Sequence, residues 1–202
     1  MPGLPPTPFD LIDEARLLAN METIRAVRER AGAKSVLALK CFSAWSVIPL
    51  MREYMDGTAS SSLYEARLGH EKFGKETHAY SVAFADDEIE PLRGFASKII
   101  FNSVSQLKRH RGRVAGLPLG LRIQPGVSHS HFDLAVPARL HSRLGARDRA
   151  EIEAVLPLLS GLMFHCQCEN DDFASFARLR TAQRGLSIRA FNSGRSAPVP
   201  PA

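Results

Sequence analysis

The chain has 202 residues, of which 45% are hydrophobic and 23% are charged, a composition typical of one globular domain with an apolar core. No apolar run reaches the roughly 18 residues that cross a bilayer, and the Pro-rich start has no secretion-signal pattern, so we expect a cytoplasmic protein without a membrane segment. The net charge of +5 comes from five arginines in residues 178–202, and the neutral remainder argues against a nucleic-acid-binding domain.

The chain has three cysteines, an odd number without the spacing of a disulfide framework, which favours a reduced compartment. Cys166 and Cys168 lie beside His165 and could hold part of a metal site. No second cluster at zinc spacing supplies the remaining ligands, so the sequence predicts no metal.

Residues 1–12 form a Pro-rich amino-terminal segment, and residues 9–13 have the pattern of a short strand. A helix follows from Glu14 to Arg30, with apolar residues at helical spacing and Gly32 as its stop. Residues 13–177 are assigned to one domain, because strand and helix patterns alternate regularly after this helix.

Six strand candidates follow the first helix, and each precedes a helical pattern. The strands end near Lys40, Ser61, Ser81, Asn102, Gln124 and His165. The helical patterns cover residues 45–55, 63–73, 86–95, 104–113 and 148–159, and a last one begins at residue 169. The first five strand ends are 21, 20, 21 and 22 residues apart, the length of one compact βα unit.

This alternation predicts an α/β fold with a parallel sheet and helices outside it. The even period favours a TIM-type (β/α) barrel over an open doubly wound sheet, and the last interval holds an extra loop, Pro125 to Gly145. About six βα units are visible where a complete barrel has eight. The sequence therefore predicts an incomplete barrel.

Lys40 is the candidate with the clearest chemistry, because it ends an apolar strand. An ammonium there is partly desolvated, which lowers its pKa and frees the amine to attack an aldehyde. A lysine that extends its head to water from the strand end is the alternative. Arg122 and His165 lie at neighbouring strand ends, where such barrels build their active sites. A surface ion pair for Arg122 and a core position for His165 remain open, as do helix caps for the strand-end serines.

Seven short stretches, in order, resemble the carboxynorspermidine decarboxylase family, in the alanine racemase-like, fold type III group of pyridoxal-phosphate (PLP) decarboxylases. They are ALKCF (38–42), SSLYE (61–65), IFNS (100–103), LRI (121–123), PGVS (125–128), SRLG (142–145) and GLMFH (161–165). The resemblance runs from about Thr7 to about Ala177, so residues 13–177 would be a partial PLP-binding barrel.

The resemblance implies a role for each candidate residue. Lys40 would bind PLP covalently, His165 would stack on the pyridine ring, and Arg122 would lie near the phenolic oxygen of the cofactor. The implied reaction is decarboxylation of carboxynorspermidine or carboxyspermidine to norspermidine or spermidine, in polyamine biosynthesis. Members of the family are homodimers whose active sites form between subunits.

Several positions depart from the family pattern. Family members typically carry Asn at Gln124 and Gln167, Tyr at Asp10 and Asp at Val136. After Ala177 they continue into a Gly-rich phosphate-binding loop, the last barrel strands and a carboxyl-terminal β-domain. Residues 178–202 instead have the basic, Pro/Ser/Gly-rich composition of a disordered tail. A truncated gene or a reading-frame change after about residue 177 would explain this departure.

Three functions remain open on the sequence. The first is a PLP-dependent decarboxylase lacking the β-domain, for which we expect weak cofactor binding and poor turnover. The second is a non-catalytic, single-domain PLP-binding protein of the same barrel type, or an inactive decarboxylase fragment. The third is a nucleic-acid binder acting through the arginine-rich tail, which no basic and aromatic surface motif supports.

Overall fold

The computed structural model of the chain describes residues 6–128, 136–165, 174, 177 and 178. Its first helix is α1, Glu14–Ala31. The helix begins at Asp13, whose carboxylate accepts a hydrogen bond from the backbone N–H of Arg16 at 3.1 Å. It ends at Gly32, which has the left-handed φ of 58° that glycine adopts without strain. The predicted helix and its stop are confirmed.

The strand predicted for residues 9–13 is wrong. This segment is irregular and, apart from the half-buried Ile12, exposed, and it leads directly into the cap of α1. A strand needs a hydrogen-bonding neighbour, and none of the strands in the described part of the chain pairs with it.

Six parallel strands form one sheet in the order β1-β2-β3-β4-β5-β6. They are β1 Val36–Ala38, β2 Gly57–Ser60, β3 Glu76–Tyr80, β4 Lys98–Phe101, β5 Leu119–Ile123 and β6 Gly161–Phe164. Each ends one or two residues before the predicted position. Because β1 and β6 each have a single strand neighbour among the described residues, the sheet is an open half-barrel. The predicted incomplete barrel of six βα units is confirmed.

Helices join successive strands along one face of the sheet. They are α2 Ile48–Met51 after a 3₁₀ turn, α3 Leu63–Leu68 with a π-helical extension, α4 Asp86–Leu92, α5 Val104–His110 and α6 Arg149–Val155. None of the described helices is long and apolar enough to cross a membrane. The helix predicted from residue 169, the cysteines 166 and 168, and almost all of the predicted tail lie outside the described residues.

The apolar core lies between the helices and the convex face of the sheet. Ile99, Phe101 and Leu121 of the sheet are fully buried there with Ile89 and Leu92 of α4. Strand residues alternate between the two faces. In β3 the alternate residues facing the other way are only half-buried. The concave face of the half-barrel is therefore partly open, and its carboxyl-terminal edge can form the mouth of a site.

Candidate active site

Lys40 lies at the carboxyl-terminal edge of the sheet, two residues after β1. The backbone N–H groups of Cys41 and Phe42 both donate to the carbonyl of Ala38, at 2.9 and 3.2 Å, and this turn ends the strand. The turn leaves Lys40 exposed. The predicted desolvation of its ammonium is therefore wrong for this structure, and the alternative of a lysine that reaches water from the strand end is correct.

Arg122 is buried in β5, with 4% of its surface exposed. Its Nη1 donates to the hydroxyl of Tyr80 at 2.6 Å, and its Nη2 donates to the backbone carbonyl of His165 at 3.2 Å. The guanidinium also lies over the Tyr80 ring, 5.3 Å from the ring centroid. No carboxylate pairs with Arg122 among the described residues, so the alternative of a surface ion pair is wrong.

His165 follows β6 directly and is half-buried at the mouth, which does not match the alternative of a core histidine. Burial lowers the pKa of His165, and the positive charges of Arg122 and Lys40 lower this pKa further. The imidazole is therefore neutral at neutral pH. A neutral ring can lie against an aromatic ligand without adding a third positive charge to the mouth.

Lys40, Arg122 and His165 lie along the same edge of the sheet. Lys40 follows β1, Arg122 is the last residue but one of β5, and His165 follows β6. The hydrogen bond from Arg122 Nη2 to the His165 carbonyl joins two of these residues directly. Because the six parallel strands form a half-barrel, their carboxyl ends border one mouth.

Asn102 anchors the loop that follows β5. It lies just after β4 with 5% of its surface exposed. Its Nδ2 donates to the carbonyl of Arg143 at 2.8 Å, and its Oδ1 accepts from the Gly145 N–H at 2.9 Å and the Tyr80 hydroxyl at 3.0 Å. The sequence placed Asn102, and Ser81 next to Tyr80, at strand ends. It did not predict these contacts, because the partners depend on the path of a long loop.

Three other strand-end groups have structural roles. The Ser62 hydroxyl accepts from the Glu65 N–H at 3.2 Å, and the Ser103 hydroxyl accepts from the Gln106 N–H at 3.3 Å. The Glu65 carboxylate in turn accepts from the N–H and hydroxyl of Ser61, at 2.6 and 2.9 Å. These contacts begin α3 and α5, so the alternative of helix caps is confirmed for Ser62 and Ser103.

The described residues do not support a metal centre. They contain no group of three His, Cys, Asp or Glu side chains placed to hold a metal ion. Cys166 and Cys168, the two cysteines of the metal alternative, lie outside these residues.

Solved decarboxylase structures share this fold. Carboxynorspermidine decarboxylase from Campylobacter jejuni, complexed with norspermidine, matches with a TM-score of 0.74 and 34% identity, over 85% of this chain and 44% of that one. A structure of an SrLDC mutant in complex with PLP matches with a TM-score of 0.66 and 16% identity, a likeness of fold alone. The fold is that of about half of a decarboxylase built on a parallel (β/α) barrel.

Comparison with curated sequences shows which decarboxylases the chain resembles. The chain is 57% identical over 175 residues to carboxynorspermidine/carboxyspermidine decarboxylase of Herminiimonas arsenicoxydans, covering 87% of the chain and 48% of the relative. It is 35% identical over 172 residues to carboxyaminopropylagmatine decarboxylase of Synechocystis, covering 84% of the chain and 44% of that relative. No protein-family model matches the sequence.

The chain spans about half the length of the curated relatives it matches. The predicted resemblance to carboxynorspermidine decarboxylases, limited to one part of those proteins, is confirmed.

Proposed function

We propose that this chain forms the lysine-bearing half of the active site of a PLP-dependent decarboxylase that converts carboxynorspermidine or carboxyspermidine to norspermidine or spermidine. The observation that carries the proposal is the hydrogen bond from the buried Arg122 guanidinium to His165, at the strand edge that also bears Lys40. The 57% identity to a relative named for this reaction supports the choice of substrate class.

The side chains at this mouth fit the ring end of PLP. Lys40 is an exposed primary amine, the type of group that reacts with an aldehyde. Arg122 is a buried guanidinium without a carboxylate partner among the described residues, so it can donate hydrogen bonds to an anionic oxygen. Gln124 follows it by two residues, and its Nε2 is buried without a hydrogen-bond partner there, which leaves one more donor for an anion.

Each residue has a separate task in this proposal. When bound, PLP would accept the electron pair released with carbon dioxide. Lys40 would bind the cofactor covalently, give way to the substrate amine and hold a proton at Nζ beside the reacting carbon. Arg122 would orient the cofactor through its phenolic oxygen. The neutral ring of His165 would cover one face of the pyridine and exclude water from it.

The proposal extends to the assembly and its location. Residues 13–177 would form the cofactor-binding unit, and residues outside the described strands would bind the phosphate. A homodimer would complete the mouth. The proposed location is the cytoplasm, where an exposed thiol such as that of Cys41 stays reduced.

A second candidate is PLP binding without decarboxylation. The single strand neighbour of β1 and of β6 among the described residues favours it, because an open barrel can bind the ring end of PLP while orienting substrate poorly.

The first experiment is a titration with PLP, followed by visible absorbance, borohydride trapping, peptide mapping and an assay of carbon dioxide release from carboxynorspermidine. We expect an adduct on Lys40 that Lys40→Ala abolishes. Lys72→Ala, which removes an exposed lysine from the π-helical turn, should leave trapping intact. Release of carbon dioxide distinguishes the enzyme from the second candidate. Trapping on a different lysine, or no adduct with folded protein, would contradict both.

A further inference from the structure

Tyr80 has no task of its own in the reaction that we propose, yet its hydroxyl lies between Arg122 and the anchored loop. The hydroxyl is within 2.6 Å of Arg122 Nη1 and within 3.0 Å of Asn102 Oδ1. The Tyr80 ring also lies under the guanidinium, so it partly compensates a buried positive charge that has no carboxylate partner among the described residues.

The chemistry of these groups fixes the direction of each hydrogen bond. A guanidinium can only donate, so the Tyr80 oxygen must accept from Arg122. The single phenolic proton is then free for Asn102 Oδ1, which sets the orientation of the amide. Asn102 Oδ1 therefore faces Tyr80 and the Gly145 N–H, and Nδ2 is left to donate to the carbonyl of Arg143 at 2.8 Å.

We infer that Tyr80 is a positioning residue: its hydroxyl fixes the guanidinium of Arg122 and, through Asn102, couples it to the loop at residues 143–145. Arg122 must keep this position to bind an anion at the mouth. Loss of the Tyr80 hydroxyl should therefore weaken anion binding and loosen the loop together. The hydrogen-bond relay stands on the geometry alone, whereas the identity of the anion as PLP rests on the proposed function.

The test is Tyr80→Phe, which keeps the ring under the guanidinium and removes only the hydroxyl. Tyr64→Phe is the matched control, because Tyr64 lies near the same edge of the sheet with 78% of its surface exposed. We expect Tyr80→Phe to speed hydrogen exchange of the Gly145 amide about 5- to 10-fold and to weaken PLP binding by a similar factor, as for one lost hydrogen bond. The control should change neither.

PLP affinity can be followed by quenching of Trp45, the single tryptophan, which lies five residues after Lys40 and is 64% exposed. A double-mutant cycle with Arg122→Lys separates positioning from general stability. If Tyr80 acts through Arg122, the two substitutions are non-additive in PLP affinity, whereas independent structural roles give additive effects.

The outcomes separate this inference from the proposed function. If the wild-type chain binds no PLP, the proposed function fails. The hydrogen-bond relay can still be tested, by comparing the hydrogen-exchange rates of the Gly145 amide and the Arg122 Nε–H between Tyr80→Phe and the wild-type chain. Wild-type exchange rates in Tyr80→Phe would overturn the inference. If the wild-type chain binds PLP, additive effects of Tyr80→Phe and Arg122→Lys on PLP affinity would also overturn the inference.

Discussion

At the scale of single residues, Gly145 determines how closely the loop approaches the sheet. Its φ of 89° is a conformation that side chains rarely adopt. A Cβ at this position would lie 2.9 Å from the backbone nitrogen of Gln124 and 3.2 Å from the carbonyl oxygen of Arg122. The Ala146 N–H donates to the same carbonyl at 2.8 Å. Glycine thus lets the loop return against β5, beside the guanidinium that the site depends on.

Gly145→Ala should therefore lower the free energy of unfolding through two effects. Gly116→Ala is the matched control, because Gly116 has a φ of 91° but open space around its Cβ position. We expect the control to cost about 1–2 kcal/mol from backbone strain. Gly145→Ala should cost a further 1–3 kcal/mol from overlap with the sheet. Urea denaturation measures both, and equal losses would show that the close approach is unimportant.

At the scale of elements, Glu76 connects three strands at the amino-terminal end of the concave face. Its carboxylate contacts Lys34, which precedes β1, His78 of β3 at 2.9 Å and Lys98 of β4 at 3.6 Å. Burial raises the pKa of Glu76, but the hydrogen bonds from Lys34 and His78 and the charge of Lys98 outweigh it and lower this pKa to about 2. The carboxylate is ionised wherever the protein is folded near neutral pH.

This connection makes stability depend on pH. The pKa of Glu76 is about 2 in the folded chain against an ordinary 4.5, so its stabilising effect is complete above pH 4.5 and is lost as the pH falls toward 2. Glu76→Gln should cost about 1 kcal/mol at pH 7, since Lys34 is partly exposed, and progressively less below pH 4.5. Glu153→Gln, which breaks an exposed i,i+4 pair with Arg149, is the control. A pH-independent loss in Glu76→Gln would contradict this account.

The sequence predicts the helices and strands better than it predicts the contacts between them. Strand ends such as those of β4 and β5 followed from apolar runs and an even period, because both depend on local pattern. Residues 9–13 had the same local pattern but have no partner strand in the described part of the chain. The hydrogen bond that Arg122 donates to Tyr80 joins strands separated by β4, so it depends on register and curvature, which periodicity does not encode. The exposure of Lys40 likewise follows from a turn that the strand pattern did not reveal.

At the scale of the whole molecule, the positive charges at the mouth suit the proposed cofactor but not the proposed polyamine substrate. Lys40 and Arg122 favour an anionic ring substituent, whereas the ammonium groups of a polyamine need carboxylates. Glu65, the acidic residue at the end of β2, is held by Ser61. Val136 stands where the family resemblance leads us to expect Asp. Neither position therefore supplies a carboxylate for the polyamine chain of the proposed substrate.

The open sheet should also make the molecule self-associate. β1 has one strand neighbour among the described residues, and its unpaired backbone groups and half-buried side chains can pair with another chain. Val36→Glu places a charge on this strand, and we expect it to lower the concentration-dependent increase in sedimentation coefficient. Val27→Glu is the control, because Val27 is 59% exposed on α1, away from the sheet edge. An equal decrease in both variants would indicate a general effect of net charge, and a wild-type chain that stays monomeric at all concentrations would show that β1 is not an adhesive edge.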